Sequence, residues 1–270
     1  MSANWRRIVV KVGTSSIAHP GGSIDLERLD RLVRQLSDLQ RMGCEVVLVS
    51  SGAIAAGRGR LGYQERTVDL TEKQALAAIG QGVLMHMYEK FFAEYGQAVG
   101  QMLLTREDLE HPQRRANAGG TLQHLLRWRV IPVINENDTV ANEEIRVGDN
   151  DTLSARVAVL AGADLLVLLS DVDGLYPGDP HRTPGLQVLP LVEAITPDLL
   201  QLAGGPGSDG GVGGMRTKLE AARICLAAGI PMIIAAGSRP GVLREIVGGE
   251  VPGTLFRPPA QVSAAPSPQA

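Results

Sequence analysis

Residues 8–16 read IVVKVGTSS, a β-branched run that is interrupted only by Lys11 and ends in Gly13 and three hydroxyl side chains. Such a run predicts a strand that is buried on both faces of a sheet. Further short apolar runs predict five more strands, at Glu45 to Val49, Ala98 to Leu104, Val130 to Ile134, Leu165 to Leu169 and Met232 to Ile234. The first strand therefore leads directly into a polar, glycine-containing loop.

Helical patterns separate these strands. Apolar residues recur at helical spacing between Leu26 and Leu39, after a candidate N-cap at Asp25 and before a stop at Gly43. Alternation of strands with helices is typical of an α/β fold, in which a mostly parallel sheet is sandwiched by helices.

Two further helices carry specific expectations. One is predicted from Thr71, as N-cap with Gln74 at the capping-box position, toward Tyr95. Its high apolar content suits burial or a subunit interface, so we expect a homo-oligomer, either a dimer or a tetramer. The other begins near Met215, directly after the glycine-rich segment 203–214. That segment is either a mobile surface loop or a phosphate cradle.

Composition narrows the class of protein. A chain of 270 residues that is 44% hydrophobic can bury a large core. The net charge of −3 disfavours nucleic acid as a partner, because binding phosphates takes clustered Lys and Arg. Two cysteines, Cys44 and Cys225, cannot build a disulfide framework, and no apolar run is long enough for a signal peptide or a membrane span. We expect a cytoplasmic protein with no membrane partner.

Polar clusters follow four of the predicted strands. They lie at residues 11–16, 50–53, 135–138 and 170–174. In open α/β sheets, ligands bind where the carboxyl ends of the strands meet the N-termini of helices. We therefore expect these clusters to converge on one site.

Two lysines fall at this site, and Lys11 allows two interpretations. Only four of the 26 basic residues are lysine, so arginine is the default cation of the chain. Lys11 is either a phosphate ligand or a side chain that extends to water from a sheet edge. Lys218 follows the glycine-rich segment in the first turn of a helix, where amides and the helix dipole favour an anion. A compact point charge at both positions favours phosphate chemistry.

Two polar turns are equally ambiguous. The turn at 148–151 is either a helix cap, with Asp151 as the capping residue before a helix from Thr152, or part of a binding site. In the second interpretation Asn150 recognises substrate and Asp151 organises lysines or Mg²⁺. The segment AAGSRPG at 235–241 is interpreted as a turn.

Several common site motifs are absent. No glycine precedes a lysine, which excludes a Walker A loop, and VSSGA at 49–53 is not a GxSxG nucleophile motif. The partial GxG at Gly80 and Gly82 falls inside a helical pattern rather than between a strand and a helix. Five histidines show no metal-ligand spacing.

Nine segments in order resemble the amino-acid kinase family, and within it the branch that phosphorylates the side-chain carboxylate of glutamate. They are VVKVGTSS, SSGAIAAG, GQMLLTREDL, PVINENDTV, VGDNDTLSA, SDVDGLYPGDP, GGMRTK, IAAGSRPG and GTLF, covering about Ile8 to Phe256. The resemblance implies a three-layer α/β/α sandwich. It also implies that ATP and Mg²⁺ are used to convert L-glutamate to L-glutamyl 5-phosphate, the first step of proline synthesis.

The resemblance also implies site residues. Ser51, Asp138 and Asn150 would contact glutamate, with Asp138 facing its α-ammonium group. Lys11, Asp151 and Lys218 would form the catalytic group, in which Asp151 holds the two lysines in place. ATP would contact Lys11, Ser170, Asp171, Val212, Gly213, Gly214, Met215, Arg216, Thr217 and Lys218. Val212 departs from the family, which usually has threonine or a similar small residue there, so a hydroxyl contact is lost.

Further expectations concern the whole protein. The product would pass to glutamyl phosphate reductase, and proline is a possible feedback inhibitor. Many family members carry a C-terminal PUA domain, whereas here a kinase domain at 1–257 would be followed by a disordered Pro/Ala/Ser tail at 258–270. Two alternatives are an acetylglutamate kinase or aspartokinase, against which SSGAIAAG and NENDTV argue, and a non-catalytic sensor with the same fold.

Overall fold

A computed structural model describes residues 5–63, 65, 69–141, 150–178, 183, 185–203 and 214–258. The strands are β1 (Arg7–Val12), β2 (Glu45–Ser50), β3 (Val99–Leu104), β4 (Ile131–Glu136), β5 (Leu165–Ser170), β6 (Leu191–Val192), β7 (Met232–Ala236) and β8 (Gly253–Phe256). The helices are α1 (Leu26–Arg41), α2 (Ala53–Leu61), α3 (Leu70–Glu94), α4 (Arg106–Glu110), α5 (Pro112–Arg127), α6 (Asn150–Ala161), α7 (Pro197–Ala203), α8 (Met215–Ala227) and α9 (Val242–Val247).

The eight strands form one sheet in the order β3-β4-β2-β1-β5-β7-β8-β6. All neighbouring strands run parallel except β7 and β8, which are antiparallel. Because parallel strands need crossover connections, helices cover the sheet. The mostly parallel α/β sheet predicted from the sequence is confirmed.

Two apolar cores lie on opposite faces of the sheet. Alternate strand residues such as Val9 and Val47 pack against α5, α6 and α8 on one face. Their neighbours, such as Ile8 and Val46, pack against α1, α3 and α9 on the other. This alternation follows from the two-residue period of a strand and produces the expected three layers.

Several predicted boundaries change. The cap of α3 is Asp69, which accepts a hydrogen bond from the Glu72 amide while the Glu72 carboxylate reaches back to the Asp69 amide. The prediction of Thr71 with Gln74 was therefore wrong by two residues, because an aspartate two positions earlier completes the same box. Strand β3 is an edge strand with Gln101 exposed, not one buried on both faces.

Helices α2 and α3 pack unusually closely because glycines face each other's backbone. A Cβ atom on Gly80 would lie 1.7 Å from the carbonyl oxygen of Ala53, and one on Gly57 would lie 2.0 Å from that of Leu76. The glycine of the partial GxG is therefore explained by helix packing. This contact sets the position of α3 relative to the loop after β2.

Candidate active site

The site begins with the face of β1 from which Lys11 projects. Val9 packs against the α6 and α8 layer, and Lys11, two residues later, points to the same side. It is only 7% exposed. Because β1 lies in the middle of the sheet, the interpretation of Lys11 as a side chain at a sheet edge is wrong.

Asp151 lies between the two predicted lysines. Its Oδ1 atom is 2.6 Å from Lys11 Nζ, and its Oδ2 atom is 3.2 Å from Lys218 Nζ. The Thr217 hydroxyl lies 2.8 Å from Oδ2. The three residues come from β1, α6 and α8, so the cluster Lys11–Asp151–Lys218 exists only in the folded chain.

Electrostatics keep Asp151 ionised. Burial by itself raises the pKa of this carboxyl, but Lys11 and Lys218 lower it more strongly, and the net pKa lies below the ordinary value of 3.8. The cluster therefore places two lysine side chains around one ionised carboxylate. Such a cluster attracts an anion such as a phosphate group.

Asp151 does not cap its helix. Helix α6 begins at Asn150 rather than near Thr152, which places Asp151 inside the first turn. Its carboxylate contacts groups of β1 and α8 instead of the first amides of its own helix. The capping interpretation was therefore wrong, and the lysine-organising one fits the contacts.

A second group of polar side chains lies at the neighbouring strand ends. The Asn150 amide nitrogen is 2.8 Å from Ser51 Oγ, 3.0 Å from the carbonyl oxygen of Ser50 and 2.9 Å from Asn135 Oδ1. Gly52, which follows Ser51, has φ near +107° and starts α2. A left-handed residue there lets the chain turn from strand into helix without a side-chain clash.

Asp138 lies in the turn after β4. Its carboxyl is half-buried and has no hydrogen-bond or ion-pair partner among the described residues. Burial raises the pKa of Asp138 to about 6. A buried carboxylate without a cation is costly, so this group is suited to receive one from a ligand.

The predicted nucleotide residues lie beyond Lys11, at the ends of β5 and α8. The Ser170 hydroxyl donates to Asp171 Oδ1 at 3.0 Å, and Asp171 is exposed. Helix α8 starts at Met215, and Gly214 before it has no side chain to cap it, so an N-terminus without a side-chain cap lies next to Lys218. This geometry favours an anion.

Some expectations fall outside the described residues. Val212 and Gly213, most of the glycine-rich segment and residues 259–270 belong to this group. Of the segment 235–241 predicted as a turn, residues 237–241 form a turn between β7 and α9, whereas Ala235 and Ala236 belong to β7. Of the described residues, no group of three or more His, Cys, Asp and Glu could hold a metal ion. No helix in the described ranges is long and apolar enough to cross a membrane.

Sequence reasoning missed two residues that support the site from α3. Gln81 Oε1 accepts a hydrogen bond from Asn135 Nδ2 at 2.8 Å, and the Tyr88 hydroxyl lies 2.7 Å from Ser50 Oγ. Both residues lie inside a long helical pattern, where a polar side chain carries no local signal of its partner.

Comparisons with known proteins agree with this arrangement. A profile described as the amino acid kinase family matches residues 6–236. A glutamate 5-kinase of Symbiobacterium thermophilum is 61% identical over 93% of this chain and 95% of its own length. A glutamate 5-kinase of Carboxydothermus hydrogenoformans is 58% identical over 94% of this chain and 68% of its own length.

One solved structure extends the comparison to the fold. The UMP kinase of Bacillus anthracis superposes with a TM-score of 0.68 at 20% identity, over 96% of this chain and 98% of that one. At this identity the likeness concerns the fold alone.

Proposed function

This chain belongs to the amino acid kinase family and, within it, to the glutamate 5-kinases, and we propose that the site described above carries out their reaction. The enzyme transfers the γ-phosphoryl group of ATP to the side-chain carboxylate of L-glutamate, which yields L-glutamyl 5-phosphate and ADP. This is the first step of proline synthesis from glutamate.

The observation that carries the assignment of roles is the cluster Lys11–Asp151–Lys218. Two buried lysines meet around one carboxylate at the end of the sheet, where their side chains are suited to a phosphate group. Phosphoryl transfer needs little covalent help from the protein and depends on positioning and on stabilising negative charge. We propose that Lys11 and Lys218 contact the transferred phosphoryl group.

Asp151 acts in this proposal by positioning and not as a base. The acceptor carboxylate of glutamate is already ionised at neutral pH, so its oxygen attacks the γ-phosphorus without losing a proton. The new O–P bond forms as the bond between the γ-phosphorus and the ADP oxygen breaks, and the bonding electrons leave with ADP. The depressed pKa of Asp151 and its two cationic neighbours support a role in holding the lysines.

Mg²⁺ bound with ATP would offset the negative charge of the phosphates. Mg²⁺ in such enzymes keeps several waters and takes few protein ligands. For the nucleotide itself we propose Ser170, Asp171 and residues 212–218, as predicted from the sequence. The N-terminus of α8, which Gly214 leaves without a side-chain cap, supports the last of these.

Glutamate is proposed to lie over the ends of β2 and β4. Ser51 and nearby amides are suited to a carboxylate, and Asn150 is within hydrogen-bond reach of Ser51. Asp138 is suited to the α-ammonium group, because a half-buried carboxylate without a described partner gains a cation there.

The assay that tests the function is formation of γ-glutamyl hydroxamate. Purified protein is incubated with L-glutamate, ATP, Mg²⁺ and hydroxylamine, which traps the acyl phosphate. We expect product with L-glutamate and none when Mg²⁺ is omitted. N-acetylglutamate and L-aspartate serve as matched acceptors, and product from either of these without product from L-glutamate would contradict the proposal.

Assembly into a dimer or tetramer is also proposed. Helix α3 exposes a stripe of small and apolar residues at helical spacing, Ala75, Ala78, Ile79 and Gly82, and Ile79 is 39% exposed. The edge strand β3 lies at one end of the sheet, and no other strand of the described residues pairs with its outer side. Light scattering on purified protein measures the mass, and a monomer at micromolar concentration would contradict this part.

Three further proposals concern the cellular setting. The labile acyl phosphate is handed to glutamyl phosphate reductase, and proline acts as a feedback inhibitor, which measuring the rate in millimolar proline tests. A cytoplasmic location is supported by Cys44 and Cys225, which are both buried and unpaired.

A further inference from the structure

We propose that Gln81, on α3, is a positioning residue of the amino-acid subsite, which helps to hold Asn135 and Asn150 in the single amide orientation that leaves the buried Asn150 carbonyl oxygen without a partner among the described residues and available to a donor on the substrate. This inference rests on the proposed function, since it assigns the subsite to glutamate. Gln81 does not contact the reacting atoms in this proposal and acts through its two neighbours.

The first step is a chain of three amides. Gln81 Oε1 accepts from Asn135 Nδ2 at 2.8 Å. Asn135 Oδ1 then accepts from Asn150 Nδ2 at 2.9 Å, and the Glu136 amide also donates to it at 2.9 Å. Because each amide has one donor end and one acceptor end, the acceptor on Gln81 and the Glu136 amide together fix which end of Asn135 faces Asn150.

The second step is the orientation of Asn150. Its nitrogen faces three oxygen atoms, those of Ser50, Ser51 and Asn135. Turning the amide over would place its oxygen against the carbonyl oxygens of Ser50 and Asn135, with no hydrogen between them. The Asn150 nitrogen must therefore face these three oxygen atoms, and its Oδ1 atom must point away from them.

The Oδ1 atom of Asn150 is a buried acceptor in this orientation. Asn150 is 4% exposed, and its Oδ1 atom has no hydrogen-bond partner among the described residues. An unsatisfied buried acceptor costs about 1–3 kcal/mol, which a donor on a ligand recovers. The α-ammonium group is the only donor that glutamate offers at neutral pH. The chain of three amides therefore prepares an acceptor that the α-ammonium group of the amino acid can satisfy.

Helix α3 is held in place by close packing, so Gln81 has a fixed position. Gly80, next to Gln81, packs against the backbone of Ala53 and Gly57 without a side chain between them. Tyr88, two turns after Gln81 on the same face, is fully buried and lies 2.7 Å from Ser50 Oγ. Helix α3 thus contacts both strand ends of the subsite, at Asn135 through Gln81 and at Ser50 through Tyr88.

The test compares variants of the full chain in steady-state kinetics. Gln81→Met keeps the side-chain length and removes the acceptor, whereas Gln81→Glu keeps an acceptor for Asn135. For Gln81→Met we expect the KM for glutamate to rise roughly tenfold, as for the loss of one orienting hydrogen bond. We expect the KM for ATP to change less than about twofold, and Gln81→Glu to restore the KM for glutamate to within about threefold of the wild type.

A matched control separates this role from packing. Gln123 is a half-buried glutamine on α5 whose amide donates to the carbonyl oxygen of Ala161, at the far end of α6. Gln123→Met should leave both KM values unchanged. If Gln81→Met does not fold, Gln81→Asn, which is too short to reach Asn135, must show the same selective rise.

The outcomes are distinguishable. An unchanged KM for glutamate in Gln81→Met, an equal rise for glutamate and ATP, or a Gln81→Glu variant as impaired as Gln81→Met would each overturn the positioning role. A wild-type enzyme that forms no hydroxamate from glutamate would instead overturn the proposed function.

Discussion

Replacing Asp151 with asparagine removes the only carboxylate of the cluster Lys11–Asp151–Lys218 and keeps the shape of the side chain. The carboxylate side chain is 1% exposed, and each lysine side chain is 9% exposed. At an effective dielectric constant of about 20, the attractions at 2.6 and 3.2 Å are about 6 and 5 kcal/mol. Desolvation offsets much of this, and breaking a buried pair typically costs about 3–5 kcal/mol.

We therefore expect Asp151→Asn to lower the free energy of unfolding at pH 7 by about 3–5 kcal/mol. Urea unfolding followed by circular dichroism measures this value. Asp38→Asn is the matched control, since Asp38 pairs with Arg41 on the surface at 3.3 Å and such pairs contribute less than about 1 kcal/mol. We also expect the hydroxamate rate of Asp151→Asn to fall, because the lysines lose the group that holds them.

The pH dependence gives a sharper check. Because the folded-state pKa of Asp151 lies below the unfolded value of 3.8, its stabilisation is present above that value and is lost as the pH falls through the folded pKa. The difference between wild type and Asp151→Asn should therefore be constant from pH 5 to 7 and narrow below about pH 4. A variant within about 1 kcal/mol of the wild type at pH 7 would refute the reasoning.

Three further predictions follow from the same structure. Gly80→Ala should destabilise the protein by several kcal/mol, because its Cβ atom would lie 1.7 Å from the carbonyl oxygen of Ala53. Gly82→Ala, whose Cβ atom would have no atom within 4 Å, should stabilise α3 by up to about 1 kcal/mol. Thermal unfolding compares the two variants. For Asp138, whose pKa is about 6, the kcat/KM for glutamate, measured as ADP release, should fall as the pH drops below about 6, and Asp138→Asn should remove that inflection. Lys218→Ala should lower kcat by roughly 10²–10³-fold with little change in the KM for glutamate, and an unchanged kcat would exclude its contact with the phosphoryl group.

Much of the fold could be predicted from local pattern. Apolar runs located six of the strands to within two residues at each end, and the periodic segment after Asp25 located α1 with its cap. The short strands β6 and β8 were missed as elements, because two and four residues carry too little pattern. The cap of α3 was misplaced because several polar residues near its start are chemically able to cap.

The candidate site was predictable to a different degree. Lys11, Asp151 and Lys218 were identified as one group through the resemblance. In the structure both lysine Nζ atoms lie within 3.2 Å of a carboxylate oxygen of Asp151. Their roles in catalysis stay predictions. Gln81 could not have been identified, because its partner Asn135 is 54 residues away.

The sequence by itself determined the alternation of strands and helices and the polar residues at the strand ends. Strand burial on both faces and helix capping depend on residues that are close together in the chain. Only the tertiary structure decided which of those residues meet. The strand order places β1 between β2 and β5, and the alternation of side chains sends Lys11 toward α6 and α8 and Asn135 toward α3. Such contacts depend on how elements distant in the sequence pack, down to a glycine that lets two helices touch.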